Sequence, residues 1–264
     1  MELSDYRDQV RAGEWSGPTR GVAPDRVQCN LVVLPAAWAE GFEGWCAENP
    51  SVAPILARGE PGDPRLPTLG PDIDLRTDLP RYRIFEHGVS TGIRTDLTEH
   101  WRDDLVAFAF GCSFALEEVL KRHDVPLPGE ARGFGGAIYQ TTRATNPVDG
   151  FGGQLVVSMR PVPRSSVDLA IEVSRRHPGL HGAPVHVGDP GALGIDLDRP
   201  VESFGEVSVA DDEVPVFWAC GVTTQRVMEQ ARPELAVTHE SAHMLVADLL
   251  LTDTEVHLEG SDVR

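Results

Sequence analysis

Val214-Pro-Val-Phe-Trp-Ala-Cys-Gly-Val-Thr223 is an apolar run that stops at a Cys-Gly pair and passes into a helical pattern from Thr224 to Gln230. That is the grammar of a strand, a turn and a helix with a thiol at the corner. The same grammar occurs upstream, where Leu105-Val-Ala-Phe-Ala-Phe-Gly-Cys-Ser-Phe114 runs into Ala115 to His123. The first turn of a helix leaves N–H groups unpaired and carries partial positive charge, so either corner suits a carboxylate or phosphate. A thiol in that field is expected to ionise more readily than a free one. Each cysteine also has a plainer reading, a small buried hydrophobe.

Working outward, Gln28 to Leu34 reads as a strand ending at Pro35. Ala36 to Glu48 reads as a helix, with Trp38, Phe42 and Trp45 at helical spacing and Asn49-Pro50 as its stop. Residues 3 to 12 are weakly helical. The stretch from Ser51 to Pro80, rich in Pro, Gly and Asp, predicts an extended segment laid over the surface, and loops of that length are often functional. Arg81 to Phe85 reads as a strand. Ala137 to Thr142 and Gln154 to Arg160 read as an antiparallel pair followed by a helix from Ser165 to His177, while Leu235 to Thr238 and His243 to Leu251 give one or two final strands. The expected fold is α/β in the mixed α+β sense. A main layered domain would comprise residues 1–125 and 181–264, with residues 126–180 as a small inserted ββα subdomain.

Composition narrows the function. Lys plus Arg 23 against Asp plus Glu 41 gives a formal charge of −18, which repels nucleic acid and anionic membrane surfaces. No apolar run reaches membrane-spanning length, and the acidic start Met1-Glu-Leu-Ser-Asp lacks the pattern of a secretory signal, so a cytoplasmic location is expected. The four cysteines, Cys29, Cys46, Cys112 and Cys220, form no C-x-x-C pair. There is no G-x-S-x-G elbow, P-loop or G-x-G-x-x-G fingerprint, and no cofactor or metal is expected. His239 and His243 have the spacing of a metal pair on a helix, but their β-leaning flanks argue for a turn and a strand.

A small anionic ligand of so acidic a chain needs local arginine forks. Arg76, Arg81, Arg83 and Arg160 are the candidates, each with ion pairing to neighbouring acids as the alternative. His186 lies two residues before Gly-Asp189-Pro190, where Asp189 is expected to cap a helix; the imidazole is either catalytic or a satisfied core group. The adjacent carboxylates Asp103 and Asp104 would diverge on a helix and are read as structural.

Several segments in this order resemble the hydro-lyase family that includes D-glutamate cyclase. They are Val27-Gln-Cys-Asn-Leu-Val-Val-Leu-Pro35, Leu75-Arg-Thr-Asp-Leu-Pro-Arg-Tyr-Arg83, Trp101-Arg-Asp-Asp-Leu-Val-Ala-Phe108 with Gly111-Cys-Ser-Phe114, Val156-Val-Ser-Met-Arg-Pro161, His181-Gly-Ala-Pro-Val-His-Val-Gly-Asp-Pro190 and Val214 to Val222. The resemblance spans about residue 11 to residue 248. It implies a bacterial cytosolic enzyme in which the amine of D-glutamate attacks its own γ-carboxyl, releasing water and giving 5-oxo-D-proline. On that reading Cys112, Ser113, His186 and Cys220 are the catalytic candidates. Arg76, Arg81, Arg83, Arg160, Gly221, Thr223 and His239 are the substrate-binding ones. The expected partner is a small carboxylate, with assembly into a homo-oligomer left open. A two-thiol racemase and a non-catalytic carboxylate binder stand as alternatives. The chain departs from the family pattern at Ala53, Thr145, Thr224, Ser241 and Ala242, and the change of a Pro-Gly turn to Ser241-Ala242 alters turn geometry.

Overall fold

In a computed structural model, which describes residues 1–256, both corner-forming runs are strands that end where a helix begins. The elements in chain order are α1 (Leu3–Arg11), β1 (Arg26–Pro35), α2 (Ala36–Glu48), β2 (Ile55–Arg58), β3 (Tyr82–Glu86), β4 (Val89–Arg94), β5 (Leu105–Gly111), α3 (Ser113–Arg122), β6 (Ala137–Ala144) and β7 (Gln154–Pro163). They continue with α4 (Val167–Arg175), β8 (His186–Val187), β9 (Glu202–Ser203), β10 (Glu213–Ala219), α5 (Thr223–Ala231), β11 (Ala236–His239) and β12 (Leu245–Leu250). The fold is mixed α+β, and every described strand pair is antiparallel.

The first sheet runs β2-β5-β1-β11-β3-β4, with β12 also on β1. The second runs β8-β10-β7-β6-β9. β1 and β5 are buried along almost their whole lengths because both faces of the first sheet are covered, which is why they read as unbroken apolar runs. On one face, Cys29, Leu31 and Val33 of β1 join Leu116 and Val119 of α3 and Val173 of α4. On the other, Val32 and Leu34 meet Phe42 and Trp45 of α2, together with Val157 and Met159 of β7 and Phe217 of β10 from the second sheet. The alternation along β1 thus feeds two cores at once.

Two of the expected segments are tied into the sheets and cores. The 126–180 stretch does form two strands and a helix, but β7 is hydrogen-bonded to β10 from Glu213↔Pro163 to Ala219↔Val157. The stretch therefore supplies the centre of a sheet whose other strands come from outside it, and no break in the sheet falls at residue 180. The 51–80 segment is not simply laid on the surface. It contributes β2, and Leu66, Leu69, Ile73, Leu75 and Leu79 are sunk into the first core. Chain lengths without regular structure are held here by apolar plugs at short intervals.

One irregularity positions the site. β11 pairs with Val32 and Val33 of β1, and β12 pairs with Gln28 and Cys29 on the same strand. The two are one interrupted strand, and the chain loops out between them at Glu240–Met244. Opposite the interruption stand Asn30 and Leu31. Leu31 N–H, with no strand partner at that point, donates to Nδ1 of His239 at 3.0 Å.

Candidate functional site

The interruption in the first sheet, the end of β5 and the end of β10 converge on one cavity, whose empty space of about 330 Å3 includes solvent at its open mouth. Its wall includes Asn30 of β1, Cys112 and Ser113 at the first corner, Ser158 and Arg160 of β7, and Cys220 at the second corner. His239 at the end of β11, Ser241, Ala242 and Met244 of the looped-out segment, and the apolar Phe114, Ile138, Val222 and Phe204 complete it; the Phe204 ring stands edge-on to Phe114 at 5.8 Å. The two Cys corners thus face the same space, although β5 and β10 belong to different sheets.

Asn30 couples them. Its Nδ2 donates to Gly111 O at 2.5 Å, in the residue before Cys112. Its amide also lies against the bare Cα of Gly221, where a Cβ would stand 2.1 Å from Asn30 Cγ. Glycine is needed at position 221 for this approach rather than for a left-handed backbone. Cys112 is the N-cap of α3, its Sγ accepting from Phe114 N–H at 3.4 Å. The N–H groups of Ser113 and Gly221, at the starts of the two helices, donate to no acceptor among the described residues.

The thiols are not activated at rest. Burial pushes the Cys112 thiol up to about 12 and the Cys220 thiol up to about 11, against the lowering effects of the Phe114 and Val222 N–H groups and of Arg160. Desolvation outweighs the helix-terminus field on which the expected easy ionisation rested. Arg160 is also largely neutralised. Its Nε donates to Glu117 Oε2 at 2.8 Å, and both side chains are buried. Glu117 further accepts from Arg20 at 2.7 Å, and the surrounding cations hold its carboxyl down at about 2 despite its burial. His239 is pushed down to about 4 by burial, so its ring is neutral near pH 7; its Nδ1 lies 3.0 Å from Leu31 N and 3.4 Å from Leu31 O.

Among the expected site residues, Cys112, Ser113, Arg160, Cys220 and His239 come together on this wall, and Gly221 adjoins it. Others do not. Arg76 forks onto Asp74, with Nη2 donating to Oδ2 at 2.6 Å, and Arg83 forks onto Glu240 at 2.7 and 2.9 Å. Arg81 precedes β3 and is not on the wall. Local acids capture two of these arginines, as short bidentate pairs readily do. His186 lies outside the cavity, its Nε2 2.7 Å from Asp189 O and its ring against Phe217. Asp189 caps the following short helix, accepting from Gly191 N–H at 2.9 Å. Thr223 spends its hydroxyl within the corner, donating to Cys220 O at 2.7 Å and accepting from Val156 N–H at 3.0 Å.

Two polar residues of the wall escaped the sequence reading, Asn30 and Ser158. Each is a lone polar residue inside an apolar strand run, Cys29-Asn-Leu-Val and Val157-Ser-Met, which is the signal that could have found them. The Ser241-Ala242 turn shows what its departure entails. Ala242 holds a left-handed backbone at φ 63°, and its carbonyl accepts from Thr19 N–H at 2.8 Å.

Fold and site define a mixed α+β protein in which paired thiol corners from two antiparallel sheets share one partly open, largely apolar cavity carrying a few polar groups. The chain belongs to the D-glutamate cyclase family, whose model matches residues 106–248. It is 49% identical over 250 residues to a protein of Jannaschia sp. (strain CCS1) named "Putative hydro-lyase", covering 94% of this chain and 93% of that one. Proteins also named as hydro-lyases, from Bordetella petrii and Verminephrobacter eiseniae, are each 48% identical, over 92% and 96% of this chain and 92% of each of those proteins. A nitrogen repressor-like protein from Methanococcus jannaschii aligns over 93% of this chain and 94% of its own at 14% identity, with a TM-score of 0.41.

Proposed function

We propose that this chain is a hydro-lyase that closes D-glutamate, or a closely related amino acid with a second carboxyl, to 5-oxo-D-proline with release of water. The observation that carries the reading is the placement of two protonated thiols, Cys112 and Cys220, on the wall of one cavity beside Arg160. The relatives' hydro-lyase names and the family's D-glutamate cyclase description support the same class.

The proton accounting suits neutral thiols. Ring closure joins the amine nitrogen to the γ-carboxyl carbon and expels one carboxyl oxygen as water. The two protons that leave the ammonium are the two that the departing oxygen gains, so the site consumes neither acid nor base. One thiol gives its proton to the γ-carboxylate oxygen and is reprotonated by the other, whose thiolate takes a proton from the ammonium. The amine then adds to the carbonyl carbon. The N–H groups of Ser113 and Gly221 stabilise the oxyanion of the tetrahedral intermediate. A second proton passes from nitrogen to the hydroxyl by the same relay, the C–O bond breaks and water leaves. Positioned proton transfer of this kind is worth on the order of 10²–10⁴-fold in rate. Arg160 and neutral His239 bind and orient the substrate on this account. The other arginines expected to do so are committed elsewhere or lie off the wall, and His186 takes no part.

The facing thiols also favour one second reading, exchange of the α-hydrogen between them as in a two-thiol racemase, which requires one of them as a thiolate. Proton NMR in deuterated buffer with D-glutamate, L-glutamate and 5-oxoproline supplied separately decides between the two. Growth of 5-oxoproline signals from D-glutamate supports cyclisation. Loss of the α-proton signal without ring formation replaces it with racemisation, and silence from all three substrates refutes both.

A further inference from the structure

Ser158 is 2% exposed, lines the cavity, and its Oγ has no hydrogen-bond partner among the described residues. A buried hydroxyl without a partner is disfavoured, and native structures retain one where something else completes it. Fold stability gives no reason for this one. Ser158 sits mid-strand between Val157 and Met159, opposite Trp218 on β10 and Ile138 on β6, where an alanine would fit the same backbone. Two positions along the strand, on the same face by the alternation of side chains, is Arg160. The guanidinium is fixed in place by Glu117, and Ser158 and Arg160 line the same cavity.

We propose that Ser158 Oγ and the Arg160 guanidinium together form the seat of a ligand carboxylate, with the serine hydroxyl donating to one carboxylate oxygen. The pairing is chemically apt. A carboxylate is acceptor-only and takes several donors, and a guanidinium whose charge is already shared with Glu117 needs a second donor to hold an anion firmly. The seat lies on β7, whereas Ser113 and Gly221 head the two helices. The seat would therefore fix the carboxylate that does not react and leave the other to the corners. The inference rests on the reading of the cavity as a small-carboxylate site, but not on turnover.

The test is Ser158→Ala, with Ser158→Cys as the isosteric variant, measured by calorimetric binding of D-glutamate, of 5-oxo-D-proline and of glutarate, a dicarboxylate that cannot cyclise. A hydrogen bond to a charged group is worth about 10- to 100-fold in affinity. Ser158→Ala is expected to weaken binding by that factor for every carboxylate the wild type binds. The melting temperature of the free protein is expected to stay unchanged or rise, because an unpartnered buried hydroxyl has been removed. The cysteine variant, a weaker donor, is expected to fall between the two. A structural role would show the reverse, a fall in melting temperature with affinity intact, and that result overturns the proposal. So does a wild type that binds none of the three probes. Binding of glutarate that depends on Ser158, in a protein that does not cyclise D-glutamate, would uphold the carboxylate seat and reject the cyclase reading.

Discussion

Replacing Gly221 by alanine should destabilise the protein through Asn30, and the effect can be sized from the packing. At a backbone conformation open to any residue, Gly→Ala ordinarily stabilises by about 0.4–1 kcal/mol through the unfolded chain. Gly221 is not left-handed, so that gain is available in principle. Against it, the new Cβ would stand 2.1 Å from Cγ, 2.2 Å from Oδ1 and 2.3 Å from Nδ2 of Asn30. Asn30 is itself 3% exposed and tied to Gly111 O, so it has no free direction in which to retreat. Overpacking of this kind costs about 1–3 kcal/mol, and breaking the Asn30 hydrogen bond adds about 1 kcal/mol. The clash wins, with a net loss of about 1–3.5 kcal/mol. For a chain of this size that lowers the melting temperature by roughly 2–14 °C. The informative assay is a double-mutant cycle by urea unfolding. Asn30→Ala alone should cost about 1–3 kcal/mol, but in the Gly221→Ala background it vacates the space that the methyl group needs. The double variant should therefore be more stable than the sum of the singles by about 1–3 kcal/mol. Additive losses, or a Gly221→Ala protein as stable as wild type, would refute the claim that Asn30 locks the two corners together.

Three further outcomes follow from the buried charges and thiols. Glu117→Gln leaves Arg160 buried without its counter-charge and should cost about 3–5 kcal/mol in urea unfolding, whereas a loss under 1 kcal/mol would show the pair to be solvated. Burial holds the folded-state values of His181 and His239 at about 4 against 6.5, so the unfolded chain binds the extra protons. Stability should therefore fall as pH drops from about 6.5 towards 4, by about 3 kcal/mol for each group, and His181→Gln should roughly halve the slope. The held-down Glu117 adds its own loss only below its ordinary value of 4.5, through to about 2, so a flat profile between pH 6.5 and 4.5 would contradict the two histidines specifically. Alkylation of Cys112 and Cys220 by iodoacetamide in the free protein should rise about tenfold per pH unit through pH 9. A plateau near neutrality would mean that the thiols are activated after all.

The parts of the fold set by local chemistry were legible in the amino-acid sequence. Pro35 and Asn49-Pro50 bracket α2, whose bounds coincide with the expected helix. The apolar runs ending at Gly111-Cys112 and Ala219-Cys220 turn into helices where the pattern places them. What escaped depends on pairing between distant strands. Nothing in Gln154 to Arg160 announces that it lies beside Glu213 to Ala219, so the stretch reads as an insert when it is the middle of a sheet. The arginines of residues 76–83 look like a binding cluster in sequence, yet Asp74 is two residues from Arg76, and Glu240 is brought beside Arg83 by the β3–β11 pairing. The expected thiol activation failed because a helix terminus is visible in sequence while burial is not. Asn30 and Ser158 were within reach, since a polar residue breaking an apolar strand must be satisfied by something.

On the proposed mechanism Cys112 and Cys220 act on one substrate as a pair. Steady-state kinetics of 5-oxo-D-proline formation by Cys112→Ala, Cys220→Ala and the double variant decide whether they do. Groups that work as a unit are strongly non-additive. The expected result is a loss of about 10²-fold or more in kcat/KM for each single variant, with the double variant scarcely worse than either. Losses that multiply, or a single variant that retains wild-type kcat/KM, would contradict a shared role for the two thiols.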